Sequence, residues 1–335
     1  MVTIHDVAKA AGVSIATVSR VLNNNNVVTE SKRERVFQVM RELGYVPVSR
    51  TAKSAPGNQI ILVVSSIFPM LEEVYSGIAA SIRELDAHYE VALCYTANTK
   101  NNYHNALSLI KMLPPELLRG LIFFNNVCAD EGLMTEFQRY PLVQIGEYVE
   151  QEPVFAVSTD DRRALYDITK LLIDRGRRRF VLVSNYFSPE RRSYRFCTRR
   201  EAGFRAALEE AGIPFNRDMI FSVDYTVEGG IDAARKIAEL TPQPDAVVCV
   251  SDYIAAGCVM ELRELGVSVP DQIAVTGFDD IEIAETCRPR LTTVRQSFEE
   301  MGMEAVRMLD ALCAGSLNIG RTTCISHSII ERGSA

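Results

Sequence analysis

Histidine is scarce in this 335-residue chain, and the four present, His5, His88, His104 and His327, stand apart. None lies beside a Ser or Cys in a nucleophile motif, and none has the spacing of a zinc ligand set. GxSxG, Walker and GxGxxG patterns are all missing. An enzyme is not expected, although an α/β body by itself excludes no chemistry. The eight cysteines (Cys94, Cys128, Cys197, Cys249, Cys258, Cys287, Cys313, Cys324) contain no CxxC pair. They read as free thiols in a reducing compartment. No cofactor and no metal is expected. No apolar run approaches the ~20 residues that span a bilayer. The start, MVTIHDVAKAAGVS, lacks the basic and apolar regions of a secretory signal. The expected setting is the cytoplasm, without a membrane partner.

Positive charge is also in short supply, and its placement is informative. The chain has 36 Lys and Arg against 43 Asp and Glu, a net of −7. Residues 1–58 nevertheless carry eight basic and four acidic groups, a net of +4. The other 277 residues carry −11. A small basic head on a large acidic body implies that only the head meets a polyanion.

That head reads as three short helices. Thr3-Ile-His-Asp6 is a capping box, and Ile4, Val7, Ala8 and Ala11 follow at helical spacing. Gly12-Val13 breaks the pattern, and Ser14 can cap a second helix with Val18, Val21 and Leu22 on one face. Asn23 to Asn26 stop it. Thr29 caps a third helix that buries Val36, Val39, Met40 and Leu43 and stops at Gly44. This is helix-turn-helix grammar, in which the first turn of the second helix meets base edges in the major groove. Ile15 and Ala16 suit thymine methyls, and Arg20 suits guanine O6 and N7. Ser14, Thr17, Ser19, Asn23 and Thr3 suit phosphate oxygens. An ordinary helical subdomain with two caps explains the same residues without DNA.

Residues 48–59, VSRTAKSAPGNQ, are small and polar and read as a linker. From Ile60 apolar strands alternate with helices. Such alternation over about 270 residues predicts two doubly wound parallel sheets, with a ligand cleft at the carboxyl ends of their strands. The domains expected are a headpiece over 1–47, the linker over 48–59 and a body over 60–335. In the body, 60–158 with 289–318 forms one half and 159–288 with 319–335 the other. The basic run at Arg175, Arg177, Arg178 and Arg179 falls between a helix and a strand and reads as a solvated turn.

The stretch TIHDVAKAAGVSIATVSRVLNNNNVVTESKRERVFQVMRELGYVP resembles the headpiece of the LacI/GalR family of bacterial transcription regulators. RREAGFRAAL, VSDYIAAG, VTGFDDIEIAE, RPRLTTVRQ and IIERGS are similar to that family's regulatory core. The resemblance implies a headpiece joined to a body like a type I periplasmic sugar-binding protein. It also implies a homodimer on double-stranded DNA, at a partly palindromic operator, with a small effector, a sugar or nucleoside. Carried over, Ile15, Ala16 and Arg20 read bases, and Thr3, Ser14, Thr17, Ser19 and Asn23 hold phosphates. Arg200, Tyr225 and Asp252 are the first effector candidates. Met70, Leu71, Asn125, Glu147, Phe278 and Gln296 are further ones. Each has a plainer reading: Arg200 paired on a solvated helix, Asp252 as a helix cap, Tyr225 as core filler.

One position departs from the pattern. The family usually wedges a linker Leu into the minor groove. Here Ser54 stands at that place, with Pro56 two residues on. A weaker hinge is expected, which a Ser54→Leu change should tighten. Two other functions fit parts of the chain: a solute-binding protein of transport, and a DNA-binding regulator with an emptied cleft that answers to a protein partner. Nothing in the tail has the Leu heptads of a tetramerising segment.

Overall fold

The computed structural model describes residues 2–22, 28–45, 57–64, 69–96, 100–114, 116–125, 131–148, 154–185, 195–317 and 319–335. The chain divides into two units. The first is Met1–Ser158 with Phe298–Thr323, and the second is Thr159–Ser297 with Cys324–Ala335.

The first unit opens with three helices, α1 (Ile4–Ala11), α2 (Ile15–Leu22) and α3 (Glu30–Leu43). The Asp6 N–H donates to Thr3 Oγ1 at 3.4 Å, and the Thr3 N–H donates to Asp6 Oδ2 at 2.8 Å. These two bonds close the capping box on α1. Gly12, at φ 67°, ends that helix in a left-handed conformation that suits a residue without Cβ. The Thr17 N–H then donates to Ser14 Oγ at 3.1 Å and starts α2. Stop and start two residues apart make the tight turn. Val7, Ala8, Val18, Val21, Val36, Val39 and Met40 bury a small core shared by the three helices.

The rest of the first unit is β1 (Gln59–Val64), α4 (Leu71–Glu84), β2 (Glu90–Tyr95), α5 (Lys100–Met112), β3 (Leu118–Phe124), α6 (Glu131–Phe137), β4 (Leu142–Ile145) and β5 (Phe155–Thr159). The second unit continues with α7 (Asp161–Asp174), β6 (Phe180–Asn185), α8 (Arg195–Glu210), β7 (Ile220–Val223) and α9 (Val227–Ala238). Next come β8 (Ala246–Cys249), α10 (Asp252–Glu264), β9 (Ala274–Asp279), α11 (Glu282–Thr286) and β10 (Thr292–Gln296). The chain finishes with α12 (Phe298–Cys313), β11 (Arg321–Ile325) and β12 (His327–Ile330).

The two sheets run β11-β5-β4-β3-β1-β2 and β12-β10-β9-β8-β6-β7. Each places its own second strand beside its first, then its third, fourth and fifth. The pairs from β2 to β5 and from β7 to β10 are parallel. Only β12 is antiparallel to its partner, β10, among the pairs described. In both sheets the order reverses between the first and third strands, and ligands of open α/β sheets gather outside the carboxyl ends there. Helices on both faces explain why Ile60–Val64 and Ala246–Cys249 are buried throughout.

Asn58 and Gln59, the last two residues of the expected linker, bond to the sheet: Glu90 N–H donates to Asn58 O and Gln59 N–H to Leu117 O, both at 2.8 Å. The division of the body falls a few residues from the expected one. Residues 289–297 lie with the second unit, because β10 extends its sheet beside β9. Residues 319–323 lie with the first, because β11 forms an edge next to β5.

Candidate functional site

The head presents its expected readers to solvent. Ile15, a large apolar residue, is 39% exposed at the first residue of α2. Ser14, Ala16 and Arg20 are exposed as well, and Thr17 and Ser19 are half-buried. Val18 and Val21 turn the other way into the core, so helical period separates the two faces. Ser14 Oγ and Thr17 Oγ1 lie 2.9 Å apart, one hydroxyl pair at the amino end of α2. Thr3 is exposed at the amino end of α1. Its bonds to Asp6 hold that carboxyl below the usual carboxylate range. Asn23 and Ser54 lie outside the described residues.

The second unit gathers the other strong candidates at strand ends. Arg200, on α8 after β6, is 3% exposed. Its Nε donates to Asp161 Oδ1 at 2.8 Å and its Nη1 to Val250 O at 2.6 Å. Nη2 stands 3.8 Å from Asp279 Oδ1. The guanidinium lies over Phe278, 3.5 Å from the ring centroid, and over Phe196 at 4.5 Å. The reading of Arg200 as a paired residue on a solvated helix is therefore corrected: its partner, Asp161, is buried with it. Burial opposes its charge, but Asp161 and Asp279 outweigh that and hold the cation firmly protonated.

Asp279 is the hub of this network, and the sequence reading did not single it out. Gln296 Nε2 donates to Asp279 Oδ1 at 2.7 Å, and Tyr225 Oη donates to Oδ2 at 3.0 Å. Burial pushes its carboxyl up to about 6, even though Arg200, Gln296 and Tyr225 pull it back. Burial and the Asp279 charge push the Tyr225 phenol well above its ordinary value. Asp279 and Asp280 have φ of 107° and 58°, where residues with a Cβ are strained. Asp280 is held from the other side by Arg295 and Arg332, each at 2.6 Å. The clue available in the sequence was two acids closing a buried apolar strand, in GFDD. The partner acid, Asp161, offered no clue beyond an acidic pair before a helix.

Asp252 does something else. Thr293 Oγ1 donates to its Oδ1 at 2.6 Å and the Ile281 N–H to its Oδ2 at 2.9 Å. Both oxygens are engaged inside the unit. The helix cap is Ser251, whose Oγ accepts the Ile254 N–H at 3.3 Å, and Asp252 is the next residue. Burial and Asp279 push its carboxyl well above the usual range. Its observed role is to bind α10 to β10 and to the loop after β9.

In the first unit, Met70 and Leu71 stand at the start of α4, after β1. Asn125 follows β3 at φ 46° and donates its N–H to Ile145 O at 3.0 Å. Glu147, after β4, is 2% exposed. A Cβ on Gly146 (φ 81°) would collide with the Asn125 side chain, so the two loops touch. These four residues thus share the carboxyl end of the first sheet, as Arg200, Tyr225, Asp252, Phe278 and Gln296 share that of the second.

The arginine run is a turn between α7 and β6, and its side chains are tied down. Arg177 donates to Pro270 O at 2.7 Å, Arg178 to Ile173 O at 2.7 Å, and Arg179 to Gln243 O at 2.7 Å. Arg175 pairs with Glu331. These bonds to protein carbonyls and a carboxylate tie the run to its own unit. Among the described residues no His, Cys, Asp and Glu group could hold a metal, and no helix is long and apolar enough to cross a membrane. The seven described cysteines are free thiols.

A helix-turn-helix head with an exposed second helix, joined to two parallel-sheet units, defines a DNA-binding regulator with a body like a periplasmic binding protein. Comparison with known proteins agrees. Residues 3–48 match bacterial regulatory proteins of the lacI family, and residues 169–335 match the periplasmic binding protein-like domain. The HTH-type transcriptional repressor PurR of Vibrio parahaemolyticus is 33% identical over 317 residues, 92% of this chain and 91% of that protein. Catabolite control protein A of Priestia megaterium is 30% identical, over 92% and 91%. The solved transcriptional regulator CelR–cellobiose complex superposes with a TM-score of 0.75 at 26% identity, covering all of both chains. The lac repressor dimer bound to operator and an anti-inducer has the same fold, with a TM-score of 0.69, 24% identity and coverage of 99% and 98%. The chain belongs to the LacI family and is a DNA-binding transcription regulator.

Proposed function

We propose that this protein is a cytoplasmic, homodimeric repressor of a carbohydrate-use operon, released from or fixed to a partly palindromic operator by a small effector. Ile15, Ala16 and Arg20 read bases, and Thr3, Ser14, Thr17, Ser19 and Asn23 hold phosphates. The effector is an uncharged sugar or nucleoside. It meets Arg200, Tyr225, Phe278 and Gln296 at the strand ends of the second unit, and Met70, Leu71, Asn125 and Glu147 at those of the first. The observation that carries this is the Arg200–Asp279–Tyr225–Gln296 network over Phe278. Guanidinium donors beside a carboxylate acceptor suit adjacent hydroxyls. Arg200 already faces two carboxylates, which disfavours an anionic effector. The cellobiose bound to the solved CelR regulator supports a sugar. Exposed Leu93 (58%) and Tyr95 (55%) on edge strand β2 support burial against a second copy.

Titration calorimetry against a panel of neutral sugars and nucleosides tests the effector half of this reading. The expected result is heat for at least one compound, lost in Arg200→Ala. One observation favours a second reading, a cleft without ligand: Arg200 and Asp279 already satisfy each other and their neighbours inside the unit. A silent panel with intact DNA binding would establish that second reading instead.

A further inference from the structure

Gly57 follows Pro56 and is buried at the point where the chain enters the body. A Cβ there would fall inside the Leu117 carbonyl group and lie 2.5 Å from Leu118 N. Both neighbours are backbone at the start of β3, so neither can swing aside. The next two residues are pinned on both flanks. Asn58 O accepts the Glu90 N–H from the start of β2, and the Gln59 N–H donates to Leu117 O, each at 2.8 Å. Beyond this slot β1 runs as the buried strand between β2 and β3. At their far ends, about 20 Å away at ~3.3 Å per residue, β1 and β3 lead to Met70, Leu71 and Asn125.

We propose that Gly57 is a positioning residue for operator binding. Its slot between the starts of β2 and β3 fixes where the chain joins the body. This rests on the reading of the chain as a two-headed operator binder. The alternative is a passive tether. In that case releasing residues 57 and 58 lengthens each connection, counted from residue 48, from nine residues to eleven. Effective concentration falls with about the −3/2 power of length, which lowers affinity only about 1.3-fold.

The test uses full-length protein and a duplex selected by the wild type from a random pool. Affinity is measured for that duplex and for one carrying a single half-site, and hydrogen exchange is followed at the Gln59 and Glu90 amides. Gly57→Ala is expected to lose tenfold or more on the two-site duplex, to keep its affinity for the half-site within about twofold, and to exchange faster at both amides. Gln59→Pro, which removes the bond to Leu117 without adding a Cβ at 57, is expected to show the same binding pattern and faster exchange at the Glu90 amide, the one of the two that proline leaves in place, and covers poor folding of the first variant. Asn58→Ala, which keeps the backbone and changes an exposed side chain, is expected to match the wild type. The proposal is overturned if both slot variants stay within twofold on the two-site duplex, or if they lose half-site binding equally. A wild type that selects no duplex overturns the operator reading itself, while the exchange data still report on the slot.

Discussion

Arg200 and Asp279 show how far a single residue can be read before its surroundings are known. The arginine was legible as a candidate from the family resemblance of RREAGFRAAL, and its burial was not. A helix position facing inward could not be told from a solvated one without knowing that Asp161 waits beneath it. Removing one partner from a buried ion pair leaves the others uncompensated, at a cost of about 3–5 kcal/mol. Arg200→Ala should therefore lower unfolding free energy by that order in urea melts, as well as abolishing effector heat. Asp279 gives a prediction with a definite sign. Its folded-state carboxyl titrates at about 6, above the ordinary value, so the native state takes up the proton first. Such a group favours folding more as pH falls from above 6 toward 4. Between pH 7 and 4.5, the stability difference between wild type and Asp279→Asn should move in favour of the wild type. An unchanged difference would show that Asp279 is not the group titrating. Its positive φ could not be read at all, since no turn glycine marks the place in GFDD.

At the scale of elements, legibility followed apolar periodicity. Strands β1, β3, β6 and β8 each contain four or five consecutive apolar residues and declared themselves. β10, TTVRQ, did not, because it buries Thr292 and Thr293 among hydrogen bonds to Ser334 and Asp252 where hydrocarbon was sought. β11 and β12 are edge strands rich in polar residues and went unread for the same reason. Missing β10 moved the expected boundary between the halves to 289. The head was clearer, since caps and spacing agree there. Ser14→Ala should remove the α2 cap and cost about 1 kcal/mol in a thermal melt. Arg20→Ala should spare the fold, because that side chain is exposed, and should cost about 1–3 kcal/mol of operator affinity with relaxed preference at one base pair. Equal losses on specific and random DNA would make Arg20 a phosphate contact instead.

Across the whole molecule, the uneven charge was visible from composition, and it assigns the polyanion to the head. The repeated strand order of the two sheets was not visible, because it depends on which strands pair rather than on what each contains. That order places every effector candidate at a carboxyl strand end in its own unit, although the candidates are spread from Met70 to Gln296. The central claim is that the small basic head brings an acidic protein to DNA. The most direct measurement is the dependence of operator affinity on salt concentration, for a duplex selected from a random pool. Two heads that each neutralise about three phosphates predict a slope of log affinity against log salt on the order of −5. A flat slope, or selection of no duplex at all, would contradict the account.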